Sequence, residues 1–356
     1  MILKTYRNLI IKKYCIRVLF GLKCSFERIM IKGKIKYKYY YFLILIVLLL
    51  IILPKAIARF TSNKNVSGNI NLTSHPCGNY YGKGAKYIIN KEGGVDFINS
   101  KAKPDFSKNA TSNEGLYVSE DECGKTYYYR GSVNNWVYFA GFYWRIIRIN
   151  GDGSIRMIYT GTKGKTSGTD AHIMMSIYNQ NDDKEVNANY LSSNIKFILE
   201  MWYDTNIQNK GYGDRVKDSS FCNELKKEGE YYSAIKRSLV DYKPSFKCSN
   251  KEYILNKASG KLLYSVGLIT VDEASFAGGT KEANNNYYLY SSYWYWTMSP
   301  TYWNGSRMLV GIINSKGFIS SDYLSQKNGV RPVINLDTNV DITTGDGTES
   351  NPYVIK

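Results

Sequence analysis

An uninterrupted apolar run near the N-terminus constrains this chain most, because it decides in which compartment the rest of the chain folds. The run, "YYYFLILIVLLLIILP", covers Tyr39–Pro54 and contains no charged residue. It is short for a membrane span, which needs about 20 apolar residues, and long for the core of a signal peptide. Lys32, Lys34, Lys36 and Lys38 precede it. This positive-inside pattern predicts that the chain beyond residue 54 lies outside the cytoplasm.

Two interpretations of this segment stay open. Ala56–Ala58, "AIA", has the pattern of a signal-peptidase site, so the run is either a cleaved signal peptide or an uncleaved anchor. Met30 stands where an ordinary signal peptide begins, so the gene start is either Met1 or Met30. In both cases residues 1–58 have a membrane as partner. We expect the C-terminal domain to be extracellular, either anchored to the cell membrane or secreted.

The net charge of +17 is typical of nucleic-acid-binding proteins, but its distribution is not. Residues 1–58 contain twelve Lys and Arg and one acid, Glu27, which leaves 35 basic and 29 acidic residues in the remainder. The exported body is therefore only mildly basic and has no dense Lys/Arg run. We predict that it has no nucleic-acid partner.

The cysteines divide at the apolar run, with Cys15 and Cys24 on its cytoplasmic side. Disulfides are permitted for the four that follow it, which are Cys77, Cys123, Cys222 and Cys248. Four cysteines allow three connectivities. Pairing in chain order, Cys77–Cys123 and Cys222–Cys248, closes the shortest loops and is our prediction. No C-x-x-C occurs and the chain has two histidines, so we predict no metal site.

Helical patterns are few and short. Residues 84–100 predict two helical turns broken at Gly93–Gly94. Leu191–Ile207 is the best helix, since Ile195, Ile198, Leu199 and Trp202 follow i, i+3, i+4, i+7 spacing. Ser193 or Asn194 is placed to cap it. Tyr264–Gly279 predicts a strand that runs into a short helix, with Asp272 and Glu273 in its first turn.

Strand patterns dominate the rest of the chain. Trp136–Ile149 is rich in aromatic and β-branched residues, and "NGDG", Asn150–Gly153, is a strong hairpin turn that leads into a partner strand. Short strands and turns alternate in the last third. Helices lie between strands that are locally antiparallel, so the predicted fold class is α+β.

Motifs for catalysis are not found. Thr162–Thr166, "TKGKT", lacks the first glycine of a phosphate loop, and no G-x-S-x-G elbow occurs. His172 is interpreted as an ordinary loop or surface histidine, and no cofactor is predicted. A pair of carboxylates for glycoside hydrolysis stays possible, because any fold brings distant acids together. The spacing singles out no such pair.

Five segments in a fixed order carry a resemblance to a known domain. They are Phe139–Ile149, Ile195–Tyr203, Leu268–Glu273, "YWTMSP" at Tyr295–Pro300 and "GVRP" at Gly329–Pro332. This order resembles an uncharacterised bacterial exported surface-protein domain, similar to the C-type-lectin-like fold of sulfatase-modifying factors (formylglycine-generating enzyme-like). The resemblance covers residues 114–356 and includes the closing "GVRPVINL".

The resemblance implies a C-type-lectin-like domain of short, mainly antiparallel strands with a few helices. The expected organisation is a cytoplasmic basic segment with signal peptide or anchor (1–58), a polar spacer and N-terminal extension (59–113), the lectin-like domain (114–340) and a hairpin tail (341–356). Arg331 is expected to be structural, because its fork suits carbonyls or a carboxylate at the core edge. Some relatives are oxidases with paired cysteines near the C-terminus. No cysteine follows Cys248, so that chemistry is not expected.

The resemblance also implies a binding surface, because related domains bind ligands through the segment before the last strand. Here that segment is Thr301–Asn328, and we expect loops there. Strand alternation predicts Trp294 and Trp296 in the core and Tyr293 and Tyr295 outward. The candidate ligand-binding residues are aromatic or polar, namely Tyr293, Tyr295, Tyr302, Trp303, Asn304, Ser306, Asp322, Tyr323 and Gln326.

The leading hypothesis is a non-catalytic, adhesin- or lectin-like module on the cell surface. It would bind a surface glycan or a protein ligand through the face formed by residues 301–328. Two alternatives remain, a cell-envelope enzyme that acts on glycans and a purely structural surface protein.

Overall fold

A computed structural model describes Cys77 and residues 81–111, 114–164 and 167–355. The predictions for Tyr39–Pro54, for the cleavage site and for the gene start fall outside the described residues. Within the described part of the chain, no helix has the length and apolar character needed to cross a membrane.

Five α-helices occur among the described residues, and they are α1 (Lys83–Lys91), α2 (Gly94–Ser100), α3 (Asn194–Tyr203), α4 (Ser233–Leu239) and α5 (Val271–Ala277). Gly93, at φ 98°, separates α1 from α2, which confirms the predicted break. The Ser193 side chain caps α3 by accepting a hydrogen bond from Lys196 N. Ile195 and Leu199 are fully buried on its inner face. The helix is shorter than predicted, because a π-helical turn over Asp204–Gln208 replaces its last residues.

One large sheet is built around a long hairpin, and its strands are β1 (Gly115–Asp121), β2 (Gly124–Arg130), β3 (Trp136–Phe139), β4 (Phe142–Ile149), β5 (Ile155–Gly161), β15 (Val333–Leu336), β16 (Ile342–Thr344) and β17 (Tyr353–Ile355). The order is β1-β2-β4-β3-β17-β16, and β5 joins β4 to β15. β4 and β5 pair antiparallel on either side of the Asn150–Gly153 turn, which confirms the predicted hairpin. The strands are antiparallel except for the β3–β17 pair.

A second sheet carries the aromatic strand that the sequence analysis singled out. Its strands are β6 (Met174–Ile177), β8 (Lys227–Glu228), β9 (Tyr231–Tyr232), β11 (Tyr295–Trp303), β12 (Met308–Ile313), β13 (Ile319–Tyr323) and β14 (Lys327–Val330). The order is β13-β12-β11-β14-β6, and β9 joins β8 to β11. A separate short pair links β7 (Phe221–Cys222) to β10 (Ile254–Leu255). Mixed helices and mainly antiparallel strands confirm the α+β class.

The expectation of loops over residues 301–328 is wrong. The segment forms the end of β11 followed by β12, β13 and the start of β14, and only the turns between them are irregular. Alternate apolar residues explain the difference, because Met308, Val310 and Ile312 are buried and need a pleated surface facing the core. The short strands and turns predicted for the last third of the chain are found here.

The N-terminus of α5 joins the two sheets through buried charges. The Glu273 side chain completes a capping box with Thr270 and pairs with Arg156 of β5 at 2.5 Å and with Arg148 of β4 at 3.4 Å. Although burial by itself raises the pKa of Glu273, Arg156 and Arg148 outweigh it and hold that pKa below its ordinary value. From the second sheet, the Ser299 hydroxyl of β11 accepts a hydrogen bond from Val271 N.

We predict that Glu273→Gln lowers the free energy of unfolding by about 3–5 kcal/mol, because it leaves two buried guanidinium groups without their shared carboxylate. Chemical denaturation measures this loss. Glu228→Gln is the control, since Glu228 pairs with Lys226 at the surface and its loss should change stability by less than about 1 kcal/mol. Equal losses in the two variants would contradict a structural role for the buried cluster.

Candidate functional site

A left-handed residue directs two adjacent aromatic side chains outward. Ser292 has φ +55°, a conformation that non-glycine residues rarely adopt, and β11 begins only at Tyr295. Tyr293 and Trp294 therefore precede the strand and do not alternate, and their side chains are 37% and 41% exposed. The prediction that Trp294 lies in the core is wrong for this reason.

The sequence predicts that Tyr295 points outward together with Tyr293, but its side chain is buried. Its ring is fully buried, its hydroxyl donates a hydrogen bond to Leu289 O at 2.7 Å, and the Arg331 guanidinium lies 4.7 Å from the ring centroid. Arg331 also donates to Tyr159 O and Leu289 O, so it binds carbonyls within the core. β11 is buried on both faces from Tyr295 to Thr301, so the Tyr295 side chain lies in the core and does not line the groove. Trp296 is buried too, and its indole N–H donates to Ser176 O.

The exposed pair lies at the mouth of an open depression of about 450 Å³, which we call the aromatic groove. Its lining residues are Ser292, Tyr293, Trp294, Ser315, Asp322, Gln326, Lys327 and Asn328. They come from the turn before β11, the β12–β13 turn, the end of β13 and the start of β14. Gly329 N donates to Trp294 O at 2.9 Å, which ties the aromatic turn to β14.

Polar groups on the far side of the groove are fixed in place. Asp322 Oδ2 accepts a hydrogen bond from the Asn328 amide and Oδ1 accepts one from Tyr323 N, both at 2.9 Å. Each carboxylate oxygen keeps capacity for another donor. The exposed Lys327 adds one positive charge, so the groove carries no net charge from its two ionisable lining groups, Asp322 and Lys327.

Three of the nine predicted ligand-binding residues, Tyr293, Asp322 and Gln326, meet in the groove. Trp294, Lys327 and Asn328 were missed as candidates. Trp294 could have been predicted to lie outward only if a left-handed turn at Ser292 had been recognised. A glycine or asparagine would have indicated such a turn, but a serine does not.

The other predicted residues gather at the far end of β11. Asn304 Oδ1 accepts from Ser306 N and its amide donates to the Tyr323 hydroxyl at 3.5 Å. Tyr302 lies with its ring 6.0 Å from that of Tyr231, and Trp303 packs on the main core. Successive residues of a strand face opposite ways, so Tyr323 points away from Asp322 and does not line the groove.

His172 lies beside Tyr293 in the loop before β6, which agrees with its prediction as a loop residue, but it is buried and not at the surface. It is 6% exposed, and its ring lies 5.7 Å from Tyr293 and 5.9 Å from Tyr295. Neither ring nitrogen has a hydrogen-bond partner. Burial, with a contribution from Arg331, lowers its pKa to about 3. A neutral histidine therefore supports Tyr293 from the core side.

The cysteines pair as predicted, Cys77 with Cys123 and Cys222 with Cys248. Glu224 is the third member of a trio with Cys222 and Cys248, whose ligand atoms lie within 4.8 Å of one another. In this oxidised state the sulfurs are bonded to each other and do not act as thiolate ligands. Among the described histidines, cysteines and acids, no other trio comes as close.

No protein-family model, no curated protein and no solved structure matches this chain.

We predict that Ser292→Gly raises the free energy of unfolding by about 0.5–1 kcal/mol, because glycine adopts positive φ without steric cost. Ser292→Ala is the control, since it removes the hydroxyl but keeps the strained conformation. Thermal unfolding of both variants measures the effect. A glycine variant no more stable than the alanine variant would show that the turn is not strained.

We predict that His172→Phe weakens the acid sensitivity of the fold. The pKa of His172 is lowered from 6.5 to about 3, so below pH 6.5 the unfolded chain binds a proton that the folded protein excludes. Stability is lost progressively as the pH falls from 6.5 towards 3, at up to about 1.4 kcal/mol per pH unit. Denaturant titrations of both proteins at several pH values test this. Parallel losses of stability would contradict it.

Proposed function

We propose that this chain is an exported, cell-surface binding module that takes a glycan in the aromatic groove and does not catalyse a reaction. Its localisation rests on the apolar and basic N-terminal pattern, and the two disulfides are consistent with an oxidising compartment. Its partners are a surface glycan and, through the N-terminal segment, a membrane.

We also propose that residues 114–340 have a C-type-lectin-like fold. The segments that carry the resemblance fall on β4, α3, α5, β11 and the β14–β15 junction. All of them pack around one core, to which Trp144, Leu199, Val271, Trp296 and Val333 contribute. The proposal is supported by the order of these segments along the chain and by their positions on regular elements of one α+β core.

The observation that carries the binding function is the outward pair Tyr293 and Trp294 beside Asp322 and Asn328. Strained conformations persist where the surrounding structure holds them and are concentrated at ligand-binding sites. The groove also falls within the range of about 300–1,000 Å³ that ligand sites occupy. Isolated exposed aromatics need no explanation, but two that share a groove with fixed polar groups do.

A glycan fits this combination because a sugar ring is amphipathic. Its C–H faces stack on aromatic rings, and its hydroxyl groups donate to carboxylates and accept from amides. The groove has both, since Tyr293, Trp294, Asp322 and Gln326 all line it. Its open shape suits an extended chain that enters from the side.

We predict that Tyr293→Ala/Trp294→Ala weakens glycan binding at least about tenfold, because truncation of aromatic anchors usually costs more than 1 kcal/mol each. A glycan array identifies the ligand, and calorimetry with the best-bound glycan measures the change. Tyr138→Ala is the matched control, since Tyr138 is 39% exposed on β3 of the other sheet and should leave binding unchanged. Circular dichroism checks the fold.

Three outcomes of this experiment would overturn the proposal. Binding that survives the double substitution would place the glycan elsewhere. In the second outcome, the protein binds no glycan but binds whole cells through their surface proteins. If the double variant then loses that cell binding, a protein is the ligand of the same groove. Release of shortened products from the glycan would show that the module is an enzyme.

A further inference from the structure

The Cys222–Cys248 disulfide lies against a buried carboxyl group with an unused oxygen. Glu224 is 1% exposed, and one oxygen, Oε2, accepts from Arg237 Nη1 at 2.5 Å. The other, Oε1, is buried without a hydrogen-bond partner. A carboxyl oxygen of Glu224 and both sulfurs lie within 4.8 Å of one another. An unpartnered buried carboxyl oxygen is costly, so its position beside a disulfide needs a reason.

A small cavity connects these groups. It holds about 30 Å³ and is lined by both cysteines and Glu224, together with Arg148, Arg237 and Ser299 among others. This is room for one water molecule with several polar neighbours. A proton can therefore pass between the carboxyl group and a sulfur through one water, which is the separation that general acid–base catalysis tolerates.

The two sulfurs differ in their surroundings. Cys248 is half-buried in a loop between the exposed Lys247 and Ser249, whereas Cys222 is half-buried between the buried Phe221 and Asn223. Glu224 follows Cys222 by two residues. An incoming thiol therefore reaches Cys248 from solvent, beside the Lys247–Glu120 ion pair and beside Glu122, which accepts a hydrogen bond from Cys248 N. The Glu224 carboxyl lies within 4.8 Å of both sulfurs, so it also reaches the leaving sulfur of Cys222.

We propose that Cys222–Cys248 is a redox-active disulfide that exchanges with low-molecular-weight thiols, and that Glu224 is the acid–base group of the exchange. The Glu224 carboxylate takes the proton of the incoming thiol through the cavity, the resulting thiolate attacks Sγ of Cys248, and the disulfide bond breaks with its electron pair going to Sγ of Cys222. Glu224 then passes that proton to Sγ of Cys222 and is a carboxylate again. The sulfur of a second thiol attacks the small-molecule sulfur of the mixed disulfide, and Sγ of Cys248 leaves and takes the proton of that thiol, which gives two protein thiols and one small disulfide.

The second disulfide is an internal reference for this proposal. Beside Cys77–Cys123, Asp121 is fully engaged, since Oδ1 accepts from Cys123 N and Oδ2 accepts from Arg148 and Gly151 N. Within the described residues, no acid forms a close trio with those two sulfurs. This pair therefore lacks the proton relay, and its exchange with thiols should be slow.

The experiment uses the full oxidised chain, purified in detergent and exposed to glutathione for increasing times. Acid quenching, alkylation and mass spectrometry of the cysteine peptides give a reduction rate for each pair. We expect Cys222–Cys248 to be reduced at least about tenfold faster than Cys77–Cys123. Glu224→Gln should slow the reduction of the first pair at least about fivefold and leave that of the second unchanged.

A structural role for Glu224 predicts the opposite sign, because loss of its charge would loosen the segment and speed up reduction. Asp241→Asn controls for loosening, since Asp241 pairs with Lys236 of α4, the neighbour of Arg237, but does not line the cavity. It should not slow the exchange. Glu224→Asp keeps a carboxyl and should retain part of the rate. Equal rates for both pairs, or a Glu224→Gln rate no slower than that of the unmodified protein, would overturn the proposal whatever the groove binds.

Discussion

The fold depends on two neighbouring carboxylates, Asp272 and Glu273, in the first turn of α5. Glu273 joins this helix to the first sheet through Arg156 and Arg148. Asp272 binds Arg237 of α4 through both oxygens and also accepts from Ser245 N. Burial raises the pKa of Asp272 even though Arg237 opposes the shift. Buried charges of this kind are stable only when every partner is in place, so the two sheets, α4 and the segment after it are fixed by one helix terminus.

This arrangement accounts for the rigidity that the aromatic groove requires. Val271 N binds Ser299 of β11, and Met298 N donates to Ile269 O just before α5. The middle of β11 is therefore tied at Met298 and Ser299 to the start of α5 and to the segment just before it. Because the strand that follows is fixed in position, the turn before β11 can keep Ser292 in a strained conformation. The same turn holds the side chains of Tyr293 and Trp294 outward. A binding surface held in this way needs little ordering when a ligand arrives.

Local chemistry explains which features could be predicted from the sequence. The break at Gly93, the cap at Ser193, the turn at Asn150–Gly153 and both disulfides depend on residues close in the chain or on loop length. The aromatic groove depends on contacts made at long range. Tyr295 begins β11 because it pairs with Gly329, and His172 is buried because Gly329 leaves room for its ring, which a Cβ would meet at 2.5 Å. Neither relation has a local signal, so alternation counted from Tyr293 assigned the wrong residues to the outer face.

His172 and Glu224 are two of the buried side chains that have polar atoms without a hydrogen-bond partner. The neutral imidazole of His172 is compatible with its aromatic surroundings between Tyr293 and Tyr295. Its burial costs stability only at a pH low enough to protonate an exposed histidine. Glu224 is held by Arg237 through one oxygen, and it lines the adjoining cavity, which has room for a water that can bind the other oxygen. Both cases follow from one physical rule, that an unpaired buried polar group must be compensated. His172 is compensated by staying neutral and supports Tyr293, and Glu224 is compensated by the cavity through which it exchanges protons with the disulfide.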